Sequence, residues 1–544
     1  MNSFTKQFIG PWTWRVIIGA LVIHILAFFF RETVIELPLL LLFGLATVII
    51  SYRSLPTGLL IAFTELFTGG HGHLLDSDIF GLSVSLRMII FAAVMLVWFI
   101  KVMKKDISLS FIALRDAPWL LIFVAVVVGT LVGFLRNDFG LVFDDMNGYM
   151  TIAYLLPIIS INWNQSDRRD LLQVLFGSAA WLTGFTLLLS YLFTHLDGKT
   201  LHVLYAFVRD SRLAEITIQV ISGESSGYLN SAALQILGDG GYFYRIFMQS
   251  QFFVMIAFLV VATAMFFIWR NQRMPNLAWL SLGLFLSAIF LSMSRSFLLS
   301  LGIVCLVIFI LAFFFGKRPL VNISKRSVTA VIIGGLSLLV SILTVVFPLP
   351  NNPDITDAAF YSTSEDNDRD LAISSRWSLL GPMMDMIYER PVLGSGFGTE
   401  VTYVTDDPRI RDLIPDGILT TYRFEWGYQD IWLKMGILGL AAFAFYAVSL
   451  FWGIRYTAKQ HGHAWIVVGL GLGVMALYIT HIFSPYLNHP IGLAYMLFII
   501  PFIDWEGMIK PRKGLRELSG IQGIKDELNK QKMATQPVVT SDQS

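Results

Sequence analysis

The chain has 544 residues, 55% of them hydrophobic and only 14% charged, with a net charge of +1 at neutral pH. A soluble protein carries roughly a quarter charged residues, so an ordinary soluble domain is excluded, and the near-zero charge gives no reason to expect a nucleic-acid partner. The single cysteine, Cys305, excludes a disulfide framework within the chain.

Apolar runs of about 20 residues are long enough to cross a hydrocarbon core. In chain order the sequence predicts fourteen such helices: 12–30, 34–51, 55–68, 80–100, 117–135, 146–162, 171–194, 246–269, 276–293, 296–316, 327–347, 429–453, 464–483 and 487–506. No small-residue cleavage site follows the first run, so it is expected to be retained rather than removed as a signal peptide.

With both termini placed in the cytoplasm, the short inside loops hold fifteen lysines and arginines. The short outside loops hold only Arg31, Arg136 and Arg295. Positive residues favour the cytoplasmic side, which supports this orientation. The expected fold class is therefore all-α, a polytopic protein of the plasma membrane spanning residues 1–506, followed by a polar cytoplasmic tail over 507–544. Two extracytoplasmic loops are long, 195–245 and 348–428. Residues 348–427 carry fourteen acids and six arginines. Long loops carry function more often than short ones.

The second long loop contains RPVLGSGFGTEV, with Gly394, Gly396 and Gly398 at alternate positions. It lacks the spacing of a dinucleotide loop and any strand–helix unit around it. Lying outside, it would also meet little ATP or NAD. It reads as a glycine turn that lets backbone approach something closely. Just before it, Trp377, Leu380, Met384 and Tyr388 recur at helical spacing, which suits an interfacial amphipathic helix.

The order of these parts resembles the O-antigen ligase and O-antigen polymerase superfamily of membrane glycosyltransferases. The matching pieces are Ser294-Arg295-Ser296 at the outer end of a span, Arg245 before another, Arg376-Trp377 on a loop helix, the turn from Pro391 to Gly398, and the helix start Gly436-Ile437-Leu438-Gly439-Leu440. The resemblance covers about 230–450. It implies transfer of a glycan from a polyprenyl-diphosphate carrier to an acceptor hydroxyl on the outer face, without nucleotide, metal or other cofactor. Besides these two substrates, membrane lipids are the expected partners. Where the family carries a histidine before the last helix start, this sequence has Glu425.

The resemblance assigns Arg245 and Arg295 to the diphosphate and leaves Glu425 as the base. Arg295 sits in LSMSRSFLL, apolar on both sides, where an unpartnered charge is costly. Alternatively it snorkels to the interface. Arg376 is a candidate for glycan or diphosphate. Arg87, in SLRMII, is a further candidate, although Glu65 on the preceding helix could be its structural partner. A carboxylate such as Glu425 serves as base where partial burial raises its pKa. His481 and His489 are the alternative bases.

Two further stretches attract attention. HGHLLDSD offers His71, His73, Asp76 and Asp78, but matches no fixed metal spacing. SEDNDRD, 364–370, lacks the glycine and final glutamate of a calcium loop and reads as a solvated turn. Tyr422, Trp426, Tyr428 and Trp432 suit an interfacial aromatic belt or sugar stacking. A lipid-linked glycan transporter is the competing reading, and would be expected to show internal repeats and ionisable residues at the midplane. An inactive scaffold is the third. Polymerase, ligase and protein O-glycosyltransferase are not separated by the sequence.

Overall fold

The computed structural model describes residues 3–79, 82–196, 198–220, 242–268, 275–315, 320–346, 363–364, 366–405, 414, 416–460 and 464–509. The expected tail beyond residue 509 lies outside these.

The chain begins with α1 (Ser3–Phe8), α2 (Pro11–Phe30), α3 (Glu36–Arg53) and α4 (Leu55–Thr68), then the hairpin β1 (Asp76–Ile79) and β2 (Leu82–Ser85). There follow α5 (Leu86–Met103), α6 (Ala113–Phe134), α7 (Phe139–Met146), a 3₁₀ segment Asn147–Tyr154, α8 (Leu155–Ile159) and α9 (Gln165–His195). The next group is α10 (Gly198–Asp210), β3 (Glu215–Val220), β4 (Tyr242–Phe247), α11 (Gln251–Ile268), α12 (Asn276–Ser292), α13 (Arg295–Phe315) and α14 (Leu320–Val346). The last comprises β5 (Thr363–Ser364), α15 (Asp366–Glu389), β6 (Val401–Val404), β7 (Ile418–Thr421), α16 (Gly427–Gln460), α17 (Ala464–Thr480), α18 (Pro490–Phe498) and α19 (Trp505–Ile509).

Local chemistry sets several starts. Asn164 accepts from the amides of Ser166 and Asp167, and the Asp167 carboxylate accepts from the Asn164 amide, a reciprocal cap for α9. Ser54 and Ser85 cap α4 and α5 in the simpler way.

Among the described residues six helices are long and apolar enough to cross a membrane: α2, α3, α5, α6, α9 and α16. Seven shorter apolar helices stand at other expected positions. The segment expected to span 146–162 is instead a 3₁₀ helix followed by five residues of α8. Gly148 and Pro157 explain the break, since glycine is a poor helix former and proline lacks an amide to donate. The all-helical expectation needs a second correction. Among the described residues there are three small sheets, ordered β1-β2, β4-β3-β5 and β6-β7.

The centre of the bundle is α11, packed by α9, α12 and α17. Its run from Phe252 to Ile256 is buried without a gap, so that stretch has no exposed face. The outer helices do the reverse. Leu42 on α3, Leu120 on α6 and Val331 on α14 are 60%, 56% and 74% exposed. Exposed leucine and valine faces of this kind suit hydrocarbon rather than water, and helices meet the demand that every backbone group in lipid be satisfied internally. This is a membrane protein.

α15 packs one side on the protein and leaves part of the expected interfacial face open. Leu379, Met383 and Ile387 pack with Val401, Phe424, Trp426 and Leu433, while Trp377 and Tyr388 are exposed. The stretch 366–370, expected as a solvated turn, forms the first turns of α15, and residue 365 lies outside the described residues.

Candidate active-site cleft

The glycine turn comes first, because it holds the site together without being the site. Gly394, Gly396 and Gly398 all have positive φ, at 72°, 92° and 73°. Each meets backbone. A Cβ on Gly394 would lie 2.7 Å from the Gly436 nitrogen, and one on Gly398 would lie 2.8 Å from the Val142 nitrogen. A Cβ on Gly396 would overlap the backbone of Gly133. The turn is thus wedged between α6, α7 and the break in α16, where Gly436 also has positive φ.

The wedge satisfies backbone groups that the interrupted helix cannot. Ser395 donates to the Leu433 carbonyl at 2.7 Å, Ile437 donates to the Pro391 carbonyl at 2.9 Å, and Phe397 donates to the Gly129 carbonyl at 3.1 Å. Gly398 donates to Asp145 Oδ2 at 2.8 Å. Asp145 in turn is 2.7 Å from Lys434 Nζ, which also lies 2.6 Å from Asp430 Oδ1 and 3.0 Å from the Tyr422 carbonyl. Asn488 donates to the other Asp430 oxygen. The sequence reading missed this buried cluster, although Asp430 and Lys434 stand four apart within an apolar helix.

Beside the wedge lies an open cleft of about 1440 Å³. Its walls come from the turn before β1, from α10, β3 and β4, the α12–α13 junction, the middle of α15, the loop before α16, and the α17–α18 connection. Arg209, Arg212, Arg245, Arg295 and Arg376 line it, against two carboxylates, Glu215 and Glu425. Phe290, Leu298, Leu299 and Phe483 give it an apolar side. The cleft is therefore cationic and greasy at once.

Arg245 and Arg295 meet here. Arg245 stands on β4 opposite Thr217 of β3. Its Nε donates to the Ser292 carbonyl at 3.0 Å, its guanidinium lies over the Phe247 ring, and the Glu215 carboxylate is 4.0 Å away. Burial lowers its pKa, and the charge of Arg295 adds to that. Arg295 opens α13 directly after Met293, whose φ of 45° ends α12. Among the described residues no side chain or carbonyl holds the Arg295 guanidinium. Next to it the hydroxyls of Ser294, Ser296 and Ser484 form a chain, at 3.1 and 3.2 Å. Two arginines, three hydroxyls and a helix N-terminus are the kind of donors that suit a polyanion.

Arg376 and Glu425 form an ion pair with each other at the cleft wall, both about half exposed. Trp426 donates to the Arg376 carbonyl at 2.8 Å and packs edge-on to Trp377, so both tryptophans reach the cleft. Tyr428 and Trp432 are instead tied to backbone carbonyls, of Tyr478 and Pro391.

Arg87 stands apart. It does not line the cleft, and its Nε lies 2.9 Å from Glu65 Oε2 while its Nη2 donates to the Gly70 carbonyl at 2.9 Å. Arg87, expected among the substrate-binding residues, is engaged here with Glu65 and the turn after α4, outside the cleft lining.

Of the histidines, His489 lines the cleft and His481 does not. His481 is fully buried, accepting from the Leu487 amide at 3.1 Å. His71 also reaches the cleft, which the sequence gave no sign of. His73 is turned to Asp76, at 3.2 Å.

A family model described as O-antigen ligase matches residues 280–444. Over this segment the chain is similar to the O-antigen ligase family. The segment contains Arg295, Arg376, the glycine wedge and Glu425, whereas Arg245 and His71 lie before it. No curated protein and no solved structure matches the chain. The match supports a role in surface-polysaccharide assembly.

Proposed function

We propose that the protein transfers a glycan from a polyprenyl-diphosphate carrier to an acceptor hydroxyl on the outer face of the plasma membrane. The observation that carries the reading is the pairing of Arg245 with the unpartnered Arg295 in one cleft that also has an apolar side. A polyprenyl diphosphate needs both, a cationic seat for its head and a lipid-like wall for its tail. The arginines would stabilise charge as the diphosphate leaves, which removes the need for a metal ion. The chain's two termini would then lie in the cytoplasm and the cleft outside.

Arg376 and Glu425 would face the glycan or the acceptor. The Arg376 guanidinium already engages the Glu425 carboxylate. Glu425 therefore suits orienting the incoming hydroxyl better than removing its proton. Trp377 and Trp426 offer faces for sugar stacking.

The transporter reading draws on Asp145, Asp430 and Lys434, ionisable groups buried among helices. They pair with one another and do not line the cleft, which favours a structural role for them. The test is the profile of carrier-linked glycans in a strain lacking the gene, measured by mass spectrometry. Accumulated single repeat units would indicate a polymerase, and accumulated full-length chains a ligase. An unchanged profile, with the pathway expressed and no second copy, would sink the enzyme reading.

A further inference from the structure

We propose that His71 is the group that takes the proton from the attacking hydroxyl. This rests on the transfer reading above and supplies the base that the Arg376-bound Glu425 does not.

The geometry selects one imidazole. Three histidines lie at or near the cleft, and two are committed to other work. His489 caps α18, its Nδ1 accepting from the Ile491 amide at 3.3 Å. In the neutral ring that leaves Nε2 carrying the hydrogen, a donor rather than a base. His481 is held the same way by Leu487 and lies off the cleft. His71 is held in the opposite sense. Its Nδ1 is 2.9 Å from the Arg212 carbonyl, and a carbonyl only accepts, so Nδ1 carries the hydrogen. The lone pair of the neutral ring is then on Nε2, which has no partner among the described residues. A base oriented by a hydrogen bond through its other nitrogen is the arrangement that proton abstraction requires.

The turn that carries His71 is fixed from below. Arg87 binds the Gly70 carbonyl and is itself clamped by Glu65. Arg87 thereby acts as a positioning residue for this histidine. The surroundings keep the ring neutral at rest. Burial lowers its pKa first, and the charges of Arg87, Arg212 and His73 add to that. The other titratable neighbour is His489, whose ring stands edge-on at 5.8 Å.

The step balances simply. The acceptor oxygen forms a bond to the anomeric carbon as the bond from that carbon to the diphosphate oxygen breaks. The leaving diphosphate keeps the electron pair and is held by Arg245 and Arg295. The hydroxyl proton passes to His71 Nε2. The cations nearby then favour its release to water, which restores the neutral ring.

The test uses the full-length protein in lipid vesicles. The donor is the polyprenyl-diphosphate-linked glycan extracted from a strain lacking the gene, and the acceptor is the same strain's membrane fraction. His71→Asn keeps an amide donor near the position of Nδ1–H but has no lone pair in place of Nε2. Its kcat is expected to fall by about 10²–10⁴-fold, the usual worth of a general base, with the donor KM little changed. Added imidazole should restore part of the rate to His71→Ala. The wild-type rate should fall on acidification below about pH 6.5, the ordinary histidine value, and that limb should vanish in His71→Asn. Activity of His71→Asn within threefold of wild type would show that only the tether matters and would overturn the proposal. So would a large loss with neither imidazole rescue nor a changed pH profile. If the wild type itself transfers nothing, the transfer reading fails and this assignment fails with it.

Discussion

The glycine wedge and the cleft lie side by side, and each contains cations beside carboxylates. They treat charge in opposite ways. In the wedge, Lys434 is 4% exposed and touches two carboxylates and a carbonyl, so its charge is fully used. In the cleft, five arginines face two carboxylates, and Arg295 has no partner among the described residues. A buried charge is tolerable only when paired. An unpaired one at a solvent-filled cleft is tolerable and is ready for a ligand. Paired charge here marks structure, and unpaired charge marks the place where a substrate's charge is expected.

The sharpest way to break this contrast is to remove one member from each side. Lys434→Met should leave Asp145 and Asp430 buried without a cation. A cost of about 3–5 kcal/mol is expected from breaking such a pair, seen as a large fall in Tm in detergent and in folded yield. If Lys434→Met kept its Tm and lost only transfer, the wedge would have to be counted as part of the site. Arg295→Ala should do the converse. Transfer should drop about 10²–10³-fold, the scale of losing one preorganised group that stabilises developing charge, with Tm unchanged. Full activity in that variant would remove the diphosphate assignment.

Gly396→Ala sharpens the wedge side, since positive φ alone costs on the order of 1–3 kcal/mol and the methyl also meets the Gly133 backbone. Thermal denaturation should show it less stable than wild type, and retention of wild-type Tm would mean that the turn is not packed as described. The smallest effect is expected at the half-exposed pair. Glu425→Gln should change stability by no more than about 1 kcal/mol because solvent screens the pair. It should act mainly on the acceptor KM. A loss of kcat as large as that of His71→Asn would return the base role to Glu425.

Much of the architecture was legible. Apolar runs placed helices at thirteen of the fourteen expected positions, because apolar length is a local property. The exception, 146–162, is where Gly148 and Pro157 override hydrophobicity. Arg245 and Arg295 were also legible as cations next to apolar segments, and the structure brings them into one cleft. On α15 the helical spacing was legible, and Trp377 and Tyr388 stand exposed, as an interfacial face allows.

By itself, the sequence determined that this chain lives in a membrane, that its middle carries the ligase pattern, and that arginines stand at helix starts. These follow from composition and local spacing. Only the tertiary structure decided what each residue is used for. It spends Arg87 on Glu65 and the Gly70 carbonyl, it packs three glycines against α6, α7 and α16, and it brings His71 to the carbonyl of Arg212 across 141 positions of chain. The reason is physical. Whether a charge or a lone pair is free depends on which distant groups have already claimed it, and no local pattern records that.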